Sequence, residues 1–386
     1  MNYYAESLKG LAEKKGRLDI FSNEEIVNKN DLSITYTPGV SEPCRKIFEN
    51  QNEAYKYTIK GRTVAVVTDG SAVLGLGDIG AKAAIPVMEG KCALFNRFAG
   101  LNAFPICLET NNIDEIVDTV IKIAPIFGGI NLEDISAPRC FEIEKRLIEK
   151  LDIPVFHDDQ HGTAIVVTAA LINASRLSIK NISELQIVIA GAGAAGTAIA
   201  KMLLNFGVKD IILTNSKGII SKKNFREENE TWNELLKITN KKNRQGKLED
   251  ALIGADIFIG VSAPDIITKE MILSMNENPF IFAMSNPVPE IMPDIARDAG
   301  AAVIATGRSD FPNQINNVLA FPGVFKGALE GKKKKITEEM KKSAAKALAY
   351  YIKDDDLSED YIIPSPFDDG VADTIAKSIK NLSNYD

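Results

Sequence analysis

The run "LQIVIAGAGAAGTAIAKMLLNFGVKDIILTNSKG" constrains the chain more than any other stretch. An apolar strand, Ile187 to Ala190, meets Gly191-x-Gly193-x-x-Gly196, and a helix with Ala198, Ile199, Met202 and Leu203 on one stripe follows at once. A second strand, Ile211 to Leu213, closes the βαβ unit within about 30 residues. Glycine spacing alone is weak evidence, but at a strand-to-helix turn it marks a dinucleotide site. The glycines let the backbone approach a pyrophosphate, and the N–H groups that open the helix face it. Further apolar runs, "ADIFIGVSA", "PFIFAMSNP" and "AAVIATG", continue the alternation. Residues 161–386 are therefore expected to form a Rossmann-type NAD(P)-binding domain ending in helices.

An acid at the end of the second strand normally takes the ribose hydroxyls of NAD. Here Asn215 stands in that place, followed by Ser216 and Lys217. The missing carboxylate removes a charge that would repel a 2′-phosphate, and Lys217 could pair with one. The expected cofactor is NADP or NAD, with the balance toward NADP. An exposed lysine in a polar loop is the competing reading of Lys217.

At 386 residues the chain suits two domains better than one core. Up to about residue 160 the runs "TVAVVTDG", "CALFNRFAG", "AFPICLE", "IFGGINLED" and "IPVFHDD" read as buried strands with polar residues at their carboxyl ends. "GTAIVVTAALINASRL" then reads as a long linking helix. The expected fold class is α/β in two domains, with residues 1–160 carrying substrate and metal.

Three carboxylates, Glu133, Asp134 and Asp159, fall at strand ends, where ligands of open α/β sheets collect. Oxygen donors of this kind suit Mg²⁺ or Mn²⁺. The two histidines, His157 and His161, look like half a zinc site but fit one poorly. Such a pair shares a face only on a helix, and His157 ends the strand "IPVF". Two residues could act as acid and base: Tyr36, between β-formers and a Pro-Gly turn, and Lys91, at the mouth of a strand. Burial there would lower the lysine's pKa toward a useful range. A structural tyrosine and a surface lysine are the competing readings.

A net charge of −7 argues against a nucleic-acid surface. The basic run "GKKKKITEEMKKSAAKALAYY" is better read as a solvated helix start, because Ile336, Met340, Ala344, Ala347 and Tyr351 make an apolar face beyond it. The four cysteines are scattered and read as buried reduced thiols. No apolar run approaches the roughly 20 residues of a membrane span. "MNYYAESLKGLAEKKGRLDI" lacks the apolar core of a signal peptide, so a cytoplasmic protein is expected.

Together, "YTPGVSEPC", "VTDGSAVLGLGDIGAKAAIPVMEGK", "NLEDI", "FHDDQHGTA", "GAGAAG", "SNPVPE" and "SDFPNQINNVLAFPG" resemble the short bacterial form of malic enzyme, from about residue 10 onward. The resemblance implies oxidative decarboxylation of L-malate to pyruvate and CO₂ with reduction of NAD(P). It implies that Tyr36 is the general acid and Lys91 the general base, with Asp158 beside the lysine. Glu133, Asp134 and Asp159 would be the metal ligands, and Asn286 and Asn317 would hold substrate carboxylate or carbonyl groups. It also suggests a homodimer in which Tyr36 serves across the interface. Two departures stand out. Long forms carry an arginine where this chain has Ala72, with Ser71 a weak substitute, and an Asp is usual at Asn215. The competitors are a related decarboxylase acting on another hydroxy-diacid such as tartrate, and a non-catalytic dinucleotide-binding regulator.

Overall fold

Two sheets organise the protein in a computed structural model that describes residues 3–73, 75–223 and 230–383. The first contains β1 (Thr63–Thr68), β2 (Asn102–Cys107), β3 (Gly129–Leu132) and β4 (Val155–His157), in the order β2-β1-β3-β4. The second contains β5 (Ile187–Ala190), β6 (Ile211–Asn215), β7 (Gly218–Ile219), β8 (Ile257–Gly260), β9 (Phe280–Ala283) and β10 (Val303–Thr306). Its order is β10-β9-β8-β5-β6-β7, and every pair is parallel except β6 with β7. The strand order reverses between β1 and β3 and between β5 and β8. A crevice opens at each reversal, at the carboxyl ends of the strands. Strands β1, β5, β8 and β9 are buried along their whole length, which is why they read as unbroken apolar runs.

Helices α1 (Tyr3–Lys14), α2 (Lys29–Thr35), α3 (Ser41–Glu49) and α4 (Ala54–Tyr57) bury no residue at all. Next come α5 (Gly80–Ala99), α6 (Ile113–Ile123) and α7 (Arg139–Lys150), and α8 (Asp158–Ser178) leads to the second sheet. Helix α8 is buried on nearly every side, as an all-round apolar helix must be. Helix α9 (Ala194–Asn205) opens directly from the glycine turn.

The C-terminal helices Phe321–Glu330, Glu338–Ala349 and Val371–Lys380 fold back toward the first sheet. The rings of Phe321 and Phe325 lie 4.7 and 5.4 Å from that of Phe95 in α5, and Phe325 lies 5.8 Å from Phe156 in β4. One apolar core therefore joins β1, α5 and α8 to β5, β8 and the last helices. Among the described residues no helix is long and apolar enough to cross a membrane.

Three expectations need correction. "CALFNRFAG" is not a strand; it is the second half of α5, where Ala84, Met88, Lys91, Cys92, Phe95 and Ala99 recur at helical spacing on the buried face. Tyr36 does not follow a strand. Its segment is helix α2, started by a capping box in which the Asn28 side chain accepts from the Asn30 and Asp31 amides while Asp31 accepts from the Asn28 amide. After β6 the chain turns back as the short antiparallel β7. Of the cysteines, all free, Cys92 and Cys140 are buried, but Cys107 is half-buried and Cys44 exposed.

Candidate active site

Strand β3 ends at Leu132, so Glu133 and Asp134 emerge at its carboxyl end, while Asp158 and Asp159 open α8 after β4. Asp134 takes a left-handed conformation (φ 52°), and its N–H donates to Asp159 Oδ2 at 2.9 Å. One oxygen each of Glu133, Asp134 and Asp159 then lies within 4.8 Å of the others. Burial, followed by the charges of Asp159 and Glu133, pushes the Asp134 carboxyl up to about 9. Burial also raises Glu133 and Asp159. Crowded carboxylates of this kind could hold a cation, and an all-oxygen donor set fits Mg²⁺ or Mn²⁺. Neither histidine joins the set. The nearest, His157, is fully buried with its Nδ1 3.9 Å from Asp159 Oδ2.

Lys91 reaches this cluster from the buried face of α5. Its Nζ lies 2.5 Å from Asp158 Oδ2 and 2.8 Å from Glu133 Oε1, and 4.2 Å from the centre of the Phe321 ring. Burial works to lower the lysine's pKa, but Asp158 and then Glu133 outweigh it and hold the group above its ordinary range. This is the reverse of the downward shift expected from burial alone. Asn131 Nδ2 steadies the other oxygen of Glu133 at 2.8 Å. Asn131 and Phe321 are contacts that sequence reasoning missed.

Asp158 is fully buried, and its Oδ1 has no hydrogen-bond partner among the described residues. That oxygen lies over Gly162, where an added Cβ would come within 1.9 Å of it and 3.2 Å of Asn317 Cβ. Gly162→Ala is therefore expected to cost about 1–3 kcal/mol and to displace Asp158 from Lys91. Thermal unfolding together with a crystal structure of the variant checks both; a variant matching wild type in both would contradict the close fit.

The other proposed residues are spread around this centre. Tyr36 closes α2 through its backbone, but its ring is 67% exposed and its hydroxyl bonds to no described residue. Asn286 follows β9, half-buried, with one long contact from Nδ2 to Met284 O at 3.4 Å. Asn317 opens the short helix Asn317–Leu319, next to Gly162. Ser71 is already committed. Its hydroxyl donates to Asp69 Oδ1 at 2.5 Å and accepts from Arg139 Nη2 and from the Ser136 amide, each at 2.9 Å. The neighbouring Ala72 amide donates to Asp134 O at 2.9 Å, tying this loop to the carboxylates.

The glycine turn divides its labour as a dinucleotide site requires. An added Cβ would meet Val261 O at 2.5 Å from Gly191 (φ 110°) and Gly191 O at 1.8 Å from Gly196, whereas Gly193 faces open space. Asn215 Oδ1 accepts from the Lys217 amide at 2.8 Å, closing the β6–β7 hairpin with Ser216 and Lys217 exposed at its tip.

Residues 15–148 match the family model of the malic enzyme N-terminal domain, and residues 160–379 match that of the malic enzyme NAD-binding domain. The chain belongs to the malic enzyme family. It is 56% identical to the bifunctional malic/malolactic enzyme of Bacillus subtilis, a match covering 95% of this chain and 89% of that one. Its identity with the NADP-dependent malic enzyme of Escherichia coli is 44%, over 94% of this chain and 50% of the relative. The crystal structure of an NAD-dependent malic enzyme from Thermotoga maritima superposes with a TM-score of 0.93 at 48% identity, covering 97% of this chain and 98% of that one. Malic enzymes named for NAD and for NADP thus both stand among its relatives.

Proposed function

We propose that this chain catalyses the oxidative decarboxylation of L-malate to pyruvate and CO₂, reducing NAD or NADP, with a divalent cation held by Glu133, Asp134 and Asp159. One observation carries the reading: a buried amine, Lys91, touches Asp158 and Glu133 beside three convergent carboxylates. The names of the relatives support malate as the substrate. Mg²⁺ or Mn²⁺ would supply Lewis acidity toward the substrate's hydroxyl and carbonyl oxygens and offset the repulsion among its ligands.

Lys91 makes the first proton transfer. Its Nζ would take the C2 hydroxyl proton of malate; NAD or NADP at the glycine turn would supply the hydride acceptor needed to give oxaloacetate. The amine must be neutral to do so. A cation held by Glu133 would weaken one of the two charges that raise the lysine's pKa and leave Asp158 as its partner. Loss of the distal carboxylate as CO₂ leaves an enolate. Tyr36 protonates that enolate at C3 and pyruvate departs. Asn286 and Asn317 orient the substrate's carboxylate and carbonyl groups from the second-domain side.

Tyr36 belongs to a segment whose apolar side chains face outward: Phe21 is 82% exposed, Ile34 73% and Phe48 92%. Apolar surface on this scale implies a covering partner. The proposal therefore includes a homodimer in which this segment packs on a second copy and Tyr36 serves the partner's site. Cysteines without disulfides agree with a cytoplasmic location.

The test is a side-by-side rate measurement with NAD and NADP at saturating malate and Mn²⁺. Failure to reduce either would remove the proposal. Asn215→Asp should shift the ratio of specificity constants toward NAD by about tenfold or more, because a carboxylate accepts from the ribose hydroxyls and repels a 2′-phosphate. An unmoved ratio would show that position 215 does not read the ribose.

A further inference from the structure

The turn 157–161 carries Asp158 and Asp159, yet no side chain caps the first turn of α8 from His157, which precedes it. What holds this turn comes from α7. The carboxylate of Glu144, 7% exposed, accepts from the His157 backbone N–H at 2.9 Å, from Gln160 Nε2 at 3.2 Å and from the His161 ring at 3.0 Å. The partners set the histidine's tautomer: Nε2–H donates to Glu144, while Nδ1 accepts from Lys341 Nζ at 3.1 Å. Lys341 is also paired with Glu338 at 2.7 Å. Burial pushes the Glu144 carboxyl upward, but the hydrogen bond from the His161 ring and the charge of Lys341 overcome this and hold it below the usual carboxylate range. It therefore stays a full acceptor. A cleft of about 1340 Å³ opens on this side of the turn, lined by Glu144, Gln160, His161 and Lys341 but by none of the three convergent carboxylates.

We infer that Glu144 is a positioning residue for the cation site, fixing Asp158 and Asp159 by gripping the residues on either side of them. The inference rests on the reading of Glu133, Asp134 and Asp159 as cation ligands. Besides the Lys91 contact to Asp158, two anchors locate the turn. The Asp134 amide holds Asp159 from the substrate side, and Glu144 holds 157, 160 and 161 from behind. Partners of this outer kind, which do not touch the metal, commonly govern affinity by about 10–100-fold.

The experiment measures Mn²⁺ binding to the full chain by electron paramagnetic resonance, without malate or dinucleotide, in wild type, Glu144→Ala and Glu144→Gln. NADPH and NADH binding, followed by fluorescence, reports on the separate glycine turn. Glu144→Ala should weaken Mn²⁺ binding about 10–100-fold while leaving dinucleotide binding unchanged, and excess Mn²⁺ should recover much of kcat. Glu144→Gln keeps the volume and one acceptor oxygen for the His157 amide. It should lose less, and it serves if the alanine variant does not fold. A folded variant with a lower melting temperature and wild-type Mn²⁺ affinity would overturn the inference while leaving the cation reading intact. Wild-type protein that binds no Mn²⁺ would overturn both.

Discussion

Exhaustive removal of divalent cations is expected to abolish malate-dependent reduction of NAD(P), and added Mn²⁺ or Mg²⁺ to restore it. The reason lies in the carboxylates. Three of them share a space in which one oxygen from each lies within 4.8 Å of the others, and Asp134 is driven up to about 9. Without a counter-charge Asp134 holds a proton that a cation would displace. The same cation should stabilise the fold by mass action, about 2.7 kcal/mol at a hundredfold excess over its dissociation constant. Melting temperature should then rise with Mn²⁺ and fall with chelator. Asp159→Asn separates ligand from scaffold, since the amide oxygen can still accept from the Asp134 N–H while the charge is gone. That variant should fold, bind Mn²⁺ weakly and turn over poorly. Undiminished turnover in protein shown by elemental analysis to hold no metal would sink the cation reading.

The second large effect separates base from acid. Lys91→Ala should lower kcat roughly 10²–10⁴-fold, the usual weight of a positioned proton-transfer group. Tyr36→Phe should spare reduction of added oxaloacetate more than its conversion to pyruvate, because C3 protonation belongs only to the latter step. Equal loss of both would contradict the division of roles. Mixing the two inactive proteins and allowing subunits to exchange tests the dimer as well. If Tyr36 acts across the interface, each mixed dimer holds one site with both wild-type groups, and activity returns to a sizeable fraction. If both groups act within one chain, no site is complete and the mixture stays inactive.

Much of this was legible in the sequence because local chemistry and position agree there. The glycine turn stands between a strand and a helix, and the acids of "NLEDI" and "HDDQH" fall at strand ends, where a parallel sheet exposes its ligands. The misreading of "CALFNRFAG" came from a short apolar run that strands and buried helices share. The helical signal lay further upstream, where Ala84, Met88, Cys92 and Phe95 continue the period through Lys91. A charged residue inside an apolar stripe was the clue. The same clue marks Glu144, which shares a stripe with Cys140, Ile143 and Leu147 in α7. The contacts of Phe321 with Lys91 and of Asn317 with Gly162 span more than 150 residues of chain, and no local pattern carries them.

The back-folded helices have a consequence during synthesis. Lys91, the proposed base, belongs to the first quarter of the polypeptide, but the ring beneath its amine is Phe321, and Phe325 seals the same wall through Phe95 and Phe156. A ribosome that has delivered both sheets has therefore not yet delivered the pocket. Until the segment from Phe321 onward emerges, the wall that Phe321 places against the lysine is missing, and the nascent chain carries its proposed catalytic groups without it.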